Sequence, residues 1–183
     1  MKRLLIAVLC FGGALSAAPK EPGAADPWKA FGSLLGGTWE GGGSGTPGSG
    51  TGGFSFLWDL QGKILVRKST STYPATKEHP AFTHEDLMVV SRESETSPLR
   101  ADYYDNEGHV IHYTVSMSAD GTSAQFLSDP VPAAPRYRLT YARTAAEHVS
   151  IKFEIAPPNK PDAFATYLEA SARRKAGSWI PCP

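Results

Sequence analysis

Apolar and polar residues alternate with a period of two through most of this chain, and no other sequence feature limits the possible folds as strongly. The clearest segment is 148–155, where apolar side chains at 149, 151, 153 and 155 alternate with polar ones at 148, 150, 152 and 154. Successive side chains of a β-strand point to opposite faces. The pattern therefore predicts strands with one face turned inward and the other turned toward water.

The same alternation predicts about ten strands joined by hairpin-length links such as Asp120-Gly121. The predicted strands are 37–41, 54–60, 63–73, 82–93, 99–105, 109–117, 123–129, 136–143, 148–155 and 164–175. No helical pattern lies between them, which excludes a parallel βαβ sheet. A twisted sheet of this size must curl, split or close. We therefore predict an all-β protein, a single antiparallel up-and-down barrel of about 8–10 strands.

The last segment, 164–175, supports two interpretations. Residues 164, 167, 168 and 171 would share one face of a helix, whereas residues 164, 166, 168, 170 and 172 would share one face of a strand. The strand is preferred, and a helix remains the alternative.

The region before the strands contains a helix signal and then a glycine-rich run. Residues 28–35 carry apolar residues at helical spacing, with Asp26 as a candidate N-cap and Pro27 at the first helical position. Residues 36–53 then contain ten glycines in eighteen positions. Because ordering glycine costs more backbone entropy than ordering any other residue, we predict a flexible loop over 42–53.

The N-terminus carries an export signal. Residues 1–18 combine Lys2 and Arg3 with an apolar stretch and a small-residue cleavage site, so a signal peptide is predicted there and a periplasmic or secreted location follows. We expect a disordered leader over 19–27, the barrel over 28–175 and a loose tail over 176–183. Cleavage removes Cys10 and leaves Cys182 alone, so no intrachain disulfide can form in the mature chain.

The sequence Gly37-Thr38-Trp39, directly after the short helix and before a meander of hairpins, resembles the opening of the lipocalin-like (calycin) barrels. The resemblance is closest to small secreted bacterial barrels of unknown function. In that group the Trp plugs the base of the barrel, and a basic residue of the last strand packs over its ring. The resemblance implies that role for Arg173 or Arg174, which is why a strand is preferred over 164–175.

Aromatic residues on the apolar strand faces are the candidate lining of an interior ligand site. They are Trp58, Tyr113, Tyr137, Tyr141 and Phe153. A barrel of this size can leave a cavity, and buried tyrosine hydroxyls need partners. Arg100, Arg136 and Arg138 could bind an acidic group if one faced inward, but alternation turns Arg136 and Arg138 outward.

Several other functions find little support. Lys plus Arg and Asp plus Glu both number 18, which argues against a nucleic-acid binder built on positive charge. No interior stretch is apolar enough for a membrane span. The glycine run matches G-x-G-x-x-G but is followed by a strand and not by a helix, so no dinucleotide site is expected. No metal site, cofactor or catalytic residue is predicted, and Asp102, Asp105 and Glu107 are interpreted as exposed turn carboxylates.

We therefore hypothesise an exported barrel that binds a small hydrophobic or amphipathic ligand in its interior without covalent chemistry. An enzyme is the less favoured possibility. The alternatives are an envelope structural or interaction module with a fully packed barrel, or a cryptic hydrolase on the same scaffold. The sequence does not define the oligomeric state.

Overall fold

The computed structural model describes residues 26–77 and 79–176. The predicted signal peptide, the leader up to residue 25, and the tail from residue 177 with Cys182 all lie outside these residues. Among the described residues, no helix has the length and apolar character needed to cross a bilayer.

One short helix, α1 (Pro27–Leu35), precedes ten strands. Asp26 is its N-cap and accepts a hydrogen bond from the Trp28 backbone N–H at 3.1 Å, while Pro27 takes the first helical position. The helix predicted over 28–35 is confirmed. Its apolar stripe is buried, with both Phe31 and Leu34 fully inaccessible.

The strands are β1 (Gly37–Gly45), β2 (Gly50–Asp59), β3 (Ile64–Tyr73), β4 (Phe82–Ser91), β5 (Leu99–Asp105), β6 (Val110–Met117), β7 (Ser123–Ser128), β8 (Arg136–Ala145), β9 (His148–Ala156) and β10 (Ala165–Arg174). Each strand pairs antiparallel with its neighbour in sequence, and β1 pairs with β10 to close the barrel. The predicted all-β antiparallel barrel is confirmed, and residues 165–174 form a strand and not a helix.

Helix α1 closes the barrel end at which β1 begins. The Phe31 ring meets the rings of Phe56 and Phe126 edge-to-face, with centroids 5.5 and 5.9 Å apart. The Trp39 ring stacks on Phe54 at 5.9 Å. This half of the interior is therefore a packed apolar core, of which Tyr141 is also a fully buried member.

The prediction of a flexible loop over 42–53 is wrong. Residues 42–45 belong to β1 and residues 50–53 to β2, and only the short turn 46–49 separates them. Gly43 is paired on both sides, with Ala170 of β10 and with Gly50 of β2. These non-local backbone pairings offset the entropy cost on which the loop prediction rested.

The glycines of β1 also permit an unusually close approach of strands. A Cβ added at Gly43 would lie 2.5 Å from the Ala170 Cβ, and one added at Gly41 would lie 2.7 Å from the Ala172 Cα. Separations this short are not possible for real side chains. Glycine is thus a steric requirement of β1 where it packs against β10.

Candidate functional site

A cavity of about 90 Å³ lies between the glycine-rich ends of β1 and β2 and the facing parts of β3, β9 and β10. The wall formed by β1 and β2 consists largely of glycine backbone. Because glycine contributes no side chain, space remains here that side chains fill at the α1 end. The glycine run thus shapes an interior site, although sequence reasoning assigned it to a loop.

The remaining lining includes both apolar and polar side chains. Phe54, Ile151 and Leu168 supply apolar surface. Arg67 and Ser71, both from β3, supply polar atoms. A site with both kinds of side chain suits a molecule that has both apolar and polar parts.

Arg67 is the main polar feature of the cavity. Only 9% of the residue is exposed, its Nη1 donates to Asp86 Oδ1 at 2.9 Å, and its Cζ lies 5.6 Å from the centroid of the Phe54 ring. Its Nε is buried and has no hydrogen-bond partner among the described residues. Burial opposes the charged form of Arg67. Electrostatic interactions with Tyr141 and, to a smaller extent, with Asp86 nevertheless raise its pKa.

A row of hydrogen-bonded side chains lies beside the Arg67–Asp86 pair. His84 Nδ1 lies 2.9 Å from Glu107 Oε1, and His84 Nε2 lies 3.0 Å from the Tyr103 hydroxyl. The Tyr103 hydroxyl donates to Asp105 Oδ2 at 3.2 Å, and His109 Nδ1 lies 2.8 Å from the same oxygen. The interpretation of Asp105 as an exposed turn carboxylate is wrong, since only 4% of its side chain is accessible.

Burial determines the protonation of the interior tyrosines. It raises the pKa of Tyr141 to about 12 and also raises the pKa values of Tyr103 and Tyr113. All three hydroxyls therefore carry their protons at neutral pH. The Tyr141 hydroxyl is buried and, like Arg67 Nε, has no partner in the described part of the chain.

The five aromatic residues predicted as ligand lining occupy the interior but do not line this cavity. Tyr113 and Tyr141 are buried in the core, and Trp58 packs edge-to-face on Trp28 beside α1 at a 5.0 Å centroid distance. Tyr137 and Phe153 are partly buried and stack on each other at 5.9 Å.

The three arginines considered from the sequence have partners away from the cavity. Arg138 forms a two-pronged ion pair with Glu154, with Nε 2.6 Å from Oε2, and Arg100 pairs with Asp129. Arg136 donates to the Ser128 carbonyl at 2.9 Å. Sequence reasoning did not consider Arg67, although this arginine lines the cavity.

The structure distinguishes between the two basic residues proposed to cover Trp39. Arg174 lies over the indole ring, with its Cζ 4.3 Å from the centroid. Arg173 is exposed. Trp39 itself is 1% exposed and donates from Nε1 to the Leu35 carbonyl at 2.9 Å.

The described residues contain no group of three or more His, Cys, Asp or Glu side chains arranged to hold a metal ion. No family model matches the chain, and no curated protein matches it.

Several solved structures share a partial similarity with this chain. A de novo designed fluorescence-activating β-barrel is 11% identical over 78% of this chain and 94% of its own, with a TM-score of 0.39. The structure of EF1p2_mFAP2b bound to DFHBI is 11% identical over 82% and 100%, with a TM-score of 0.40. The S-type phycobiliprotein lyase CPES from Guillardia theta is 10% identical over 81% and 92%, with a TM-score of 0.47. Similarities at this level identify no family for the chain.

Proposed function

We propose that this protein is an exported, lipocalin-like barrel that binds a small amphipathic molecule in the glycine-walled cavity, without covalent chemistry. The observation that carries the proposal is the buried Arg67 guanidinium, which lines the cavity and whose Nε has no partner among the described residues. A packed structural barrel gains nothing from such a group, because a buried donor without an acceptor destabilises the fold.

Two further observations support this proposal. The cavity is lined by both apolar and polar side chains, which suits an amphipathic ligand. The placement of Arg174 over Trp39 at the closed end agrees with the arrangement that the lipocalin-like resemblance implies. The predicted signal peptide supports export and would place the barrel in the periplasm or outside the cell.

The proposal can be tested by native mass spectrometry of the protein purified from the envelope fraction of its own host. We expect a mass above that of the bare chain that disappears on denaturation. Ser71→Leu should remove this extra mass, because Ser71 lines the cavity. Thr72→Leu is the matched control, since the adjacent Thr72 is exposed, and it should retain the ligand.

Thermal melts of both variants would show that they are folded. A bare wild-type mass, together with no shift in melting temperature across a panel of amphipathic small molecules, would contradict the proposal. That result would favour a packed structural module.

A further inference from the structure

Not all of the hydrogen-bond donors of the Arg67 guanidinium have partners among the described residues. Its Nη1 donates to Asp86. The Nε–H, which lies on the other edge of the planar group, is buried without an acceptor among the described residues. Arg67 lines the cavity, so a molecule bound there lies beside this side chain.

The unsatisfied groups around this position can all donate a hydrogen bond. Arginine has donors only. The Tyr141 hydroxyl is buried, keeps its proton, and has no partner in the described part of the chain. Both side chains flank Phe54, at 5.6 Å from its ring centroid for Arg67 Cζ and at a 5.5 Å centroid distance for the Tyr141 ring. Arg67 lines the cavity and Tyr141 does not, so a ligand bound there must present an acceptor to Arg67.

A carboxylate would fit the shape of the guanidinium edge, but the surrounding charges oppose an anion. The side chains of Asp86 and Asp105 are each only 4% exposed, and Asp86 already forms an ion pair with Arg67. The backbone N–H and ring of His109 lower the pKa of Asp105 although burial raises it, so this carboxylate is ionised at neutral pH.

The histidines beside these carboxylates do not supply enough positive charge to favour an anion. His84 Nε2 lies 3.8 Å from Asp86 Oδ2, but its Nδ1 faces a third carboxylate, Glu107. His109 pairs with Asp105. Even with both imidazoles protonated, the cluster of Arg67 and these five side chains holds three positive and three negative charges. An added anion would find no surplus positive charge to stabilise it.

We infer that the polar end of the ligand is an uncharged hydrogen-bond acceptor, a carbonyl oxygen, which accepts from the side edge of Arg67. The inference rests on the proposed function and names the ligand class for its site. The cavity, at about 90 Å³, is smaller than the engineered cavity of about 150 Å³ that admits benzene. It receives the carbonyl and a few neighbouring atoms, and the rest of the ligand extends toward the end of the barrel remote from α1.

The test compares three probes of nearly equal shape. The probes are 2-heptanone, which presents a neutral carbonyl; hexanoate, in which a charged oxygen replaces a methyl group; and 2-methyl-1-heptene, in which a methylene replaces the carbonyl oxygen. Each is titrated into the full-length, ¹⁵N-labelled protein while the backbone amide and Arg Nε–H resonances are followed by NMR. We expect 2-heptanone to bind on the order of tenfold more tightly than either of the other two. It should also shift the Arg67 Nε–H signal.

Matched variants assign the preference to Arg67. Arg67→Met should abolish the difference between 2-heptanone and the alkene. Lys68→Met, at the adjacent exposed position, should preserve it. If Arg67→Met alone fails to fold because Asp86 loses its partner, the double variant Arg67→Met/Asp86→Leu provides the same comparison without a buried charge.

Tighter binding of hexanoate, equal binding of the ketone and the alkene, or no binding of any probe would overturn the inference. Native mass spectrometry separates this failure from failure of the proposed function. A retained host ligand that lacks a neutral carbonyl would leave the barrel a binding protein and refute only the ligand class. A bare chain that binds no probe would refute both.

Discussion

Arg174 and Trp39 join the last strand of the barrel to its first strand and to the end of α1. The Arg174 guanidinium lies over the indole ring, 4.3 Å from its centroid, and donates to the carbonyl groups of Ser33, Leu34 and Gly36. These carbonyls belong to the last turn and the C-cap of the helix, which have no further intrahelical donors. One side chain thus fastens the helix to the closed end of the barrel.

We expect Arg174→Met to lower the free energy of unfolding by about 2–4 kcal/mol, since it removes a cation–π contact and several charge-assisted hydrogen bonds. Urea denaturation followed by Trp fluorescence would measure this. Arg173→Met is the control and should change stability by no more than about 0.5 kcal/mol, because Arg173 is exposed. Equal effects of the two substitutions would refute the role assigned to Arg174.

The Arg67–Asp86 pair should contribute less to stability than its burial suggests. Arg67→Met leaves the Asp86 carboxylate buried without its partner, and we expect a loss of about 3–5 kcal/mol in the free energy of unfolding. Arg67→Met/Asp86→Leu replaces both charges with apolar side chains and should recover most of this loss. Chemical denaturation of the single and double variants tests the prediction, and a double variant as unstable as the single one would contradict it.

Gly43 should tolerate no side chain. A Cβ at this position would lie 2.5 Å from the Ala170 Cβ, so Gly43→Ala must push β1 away from β10. We expect a loss of about 1–3 kcal/mol, the usual range for overpacking. Ser44→Ala in the same strand serves as the control, because Ser44 is exposed. A thermal melt of Gly43→Ala that matches wild type would show that β1 can move without cost.

Asp120 should make stability depend on pH in the acid range. The Ser118 hydroxyl donates to its carboxylate at 2.6 Å and the Thr122 N–H donates at 3.0 Å, and these bonds lower the pKa of Asp120 from 3.8 to about 2. A pKa lowered by folding adds stability above the unfolded-state value, and this stability is lost as pH falls through the folded-state value.

Asp120→Asn cannot titrate and so lacks this contribution. The stability difference between wild type and Asp120→Asn should be largest near neutral pH and should shrink between pH 3.8 and about 2. Urea titrations across that pH range would measure it. A difference that stays constant with pH would show that the turn does not favour the ionised carboxylate.

Alternation alone does not predict that Arg67 lies on the inner face of β3. Ile64, Leu65 and Val66 are consecutive apolar residues, so the pattern cannot decide which face of β3 turns inward. The pairing of Arg67 with Phe56 of β2 decides it, because residues paired across strands share a face. A shift of one residue would have exposed Arg67 and buried Lys68.

Local patterns account for the elements of this barrel. The period of two encodes strands and an inner face, and an Asp-Pro pair before apolar residues at helical spacing encodes α1, because these signals depend only on neighbouring residues. The position and lining of the cavity, in contrast, depend on the assembled barrel. The backbone of 42–53 is ordered by hydrogen bonds to strands distant in sequence, with Gly43 opposite Ala170, and the partner strand turns Arg67 inward. In both cases the stabilising free energy comes from pairing between strands that are distant in sequence. The pattern of neighbouring residues does not reveal these pairings.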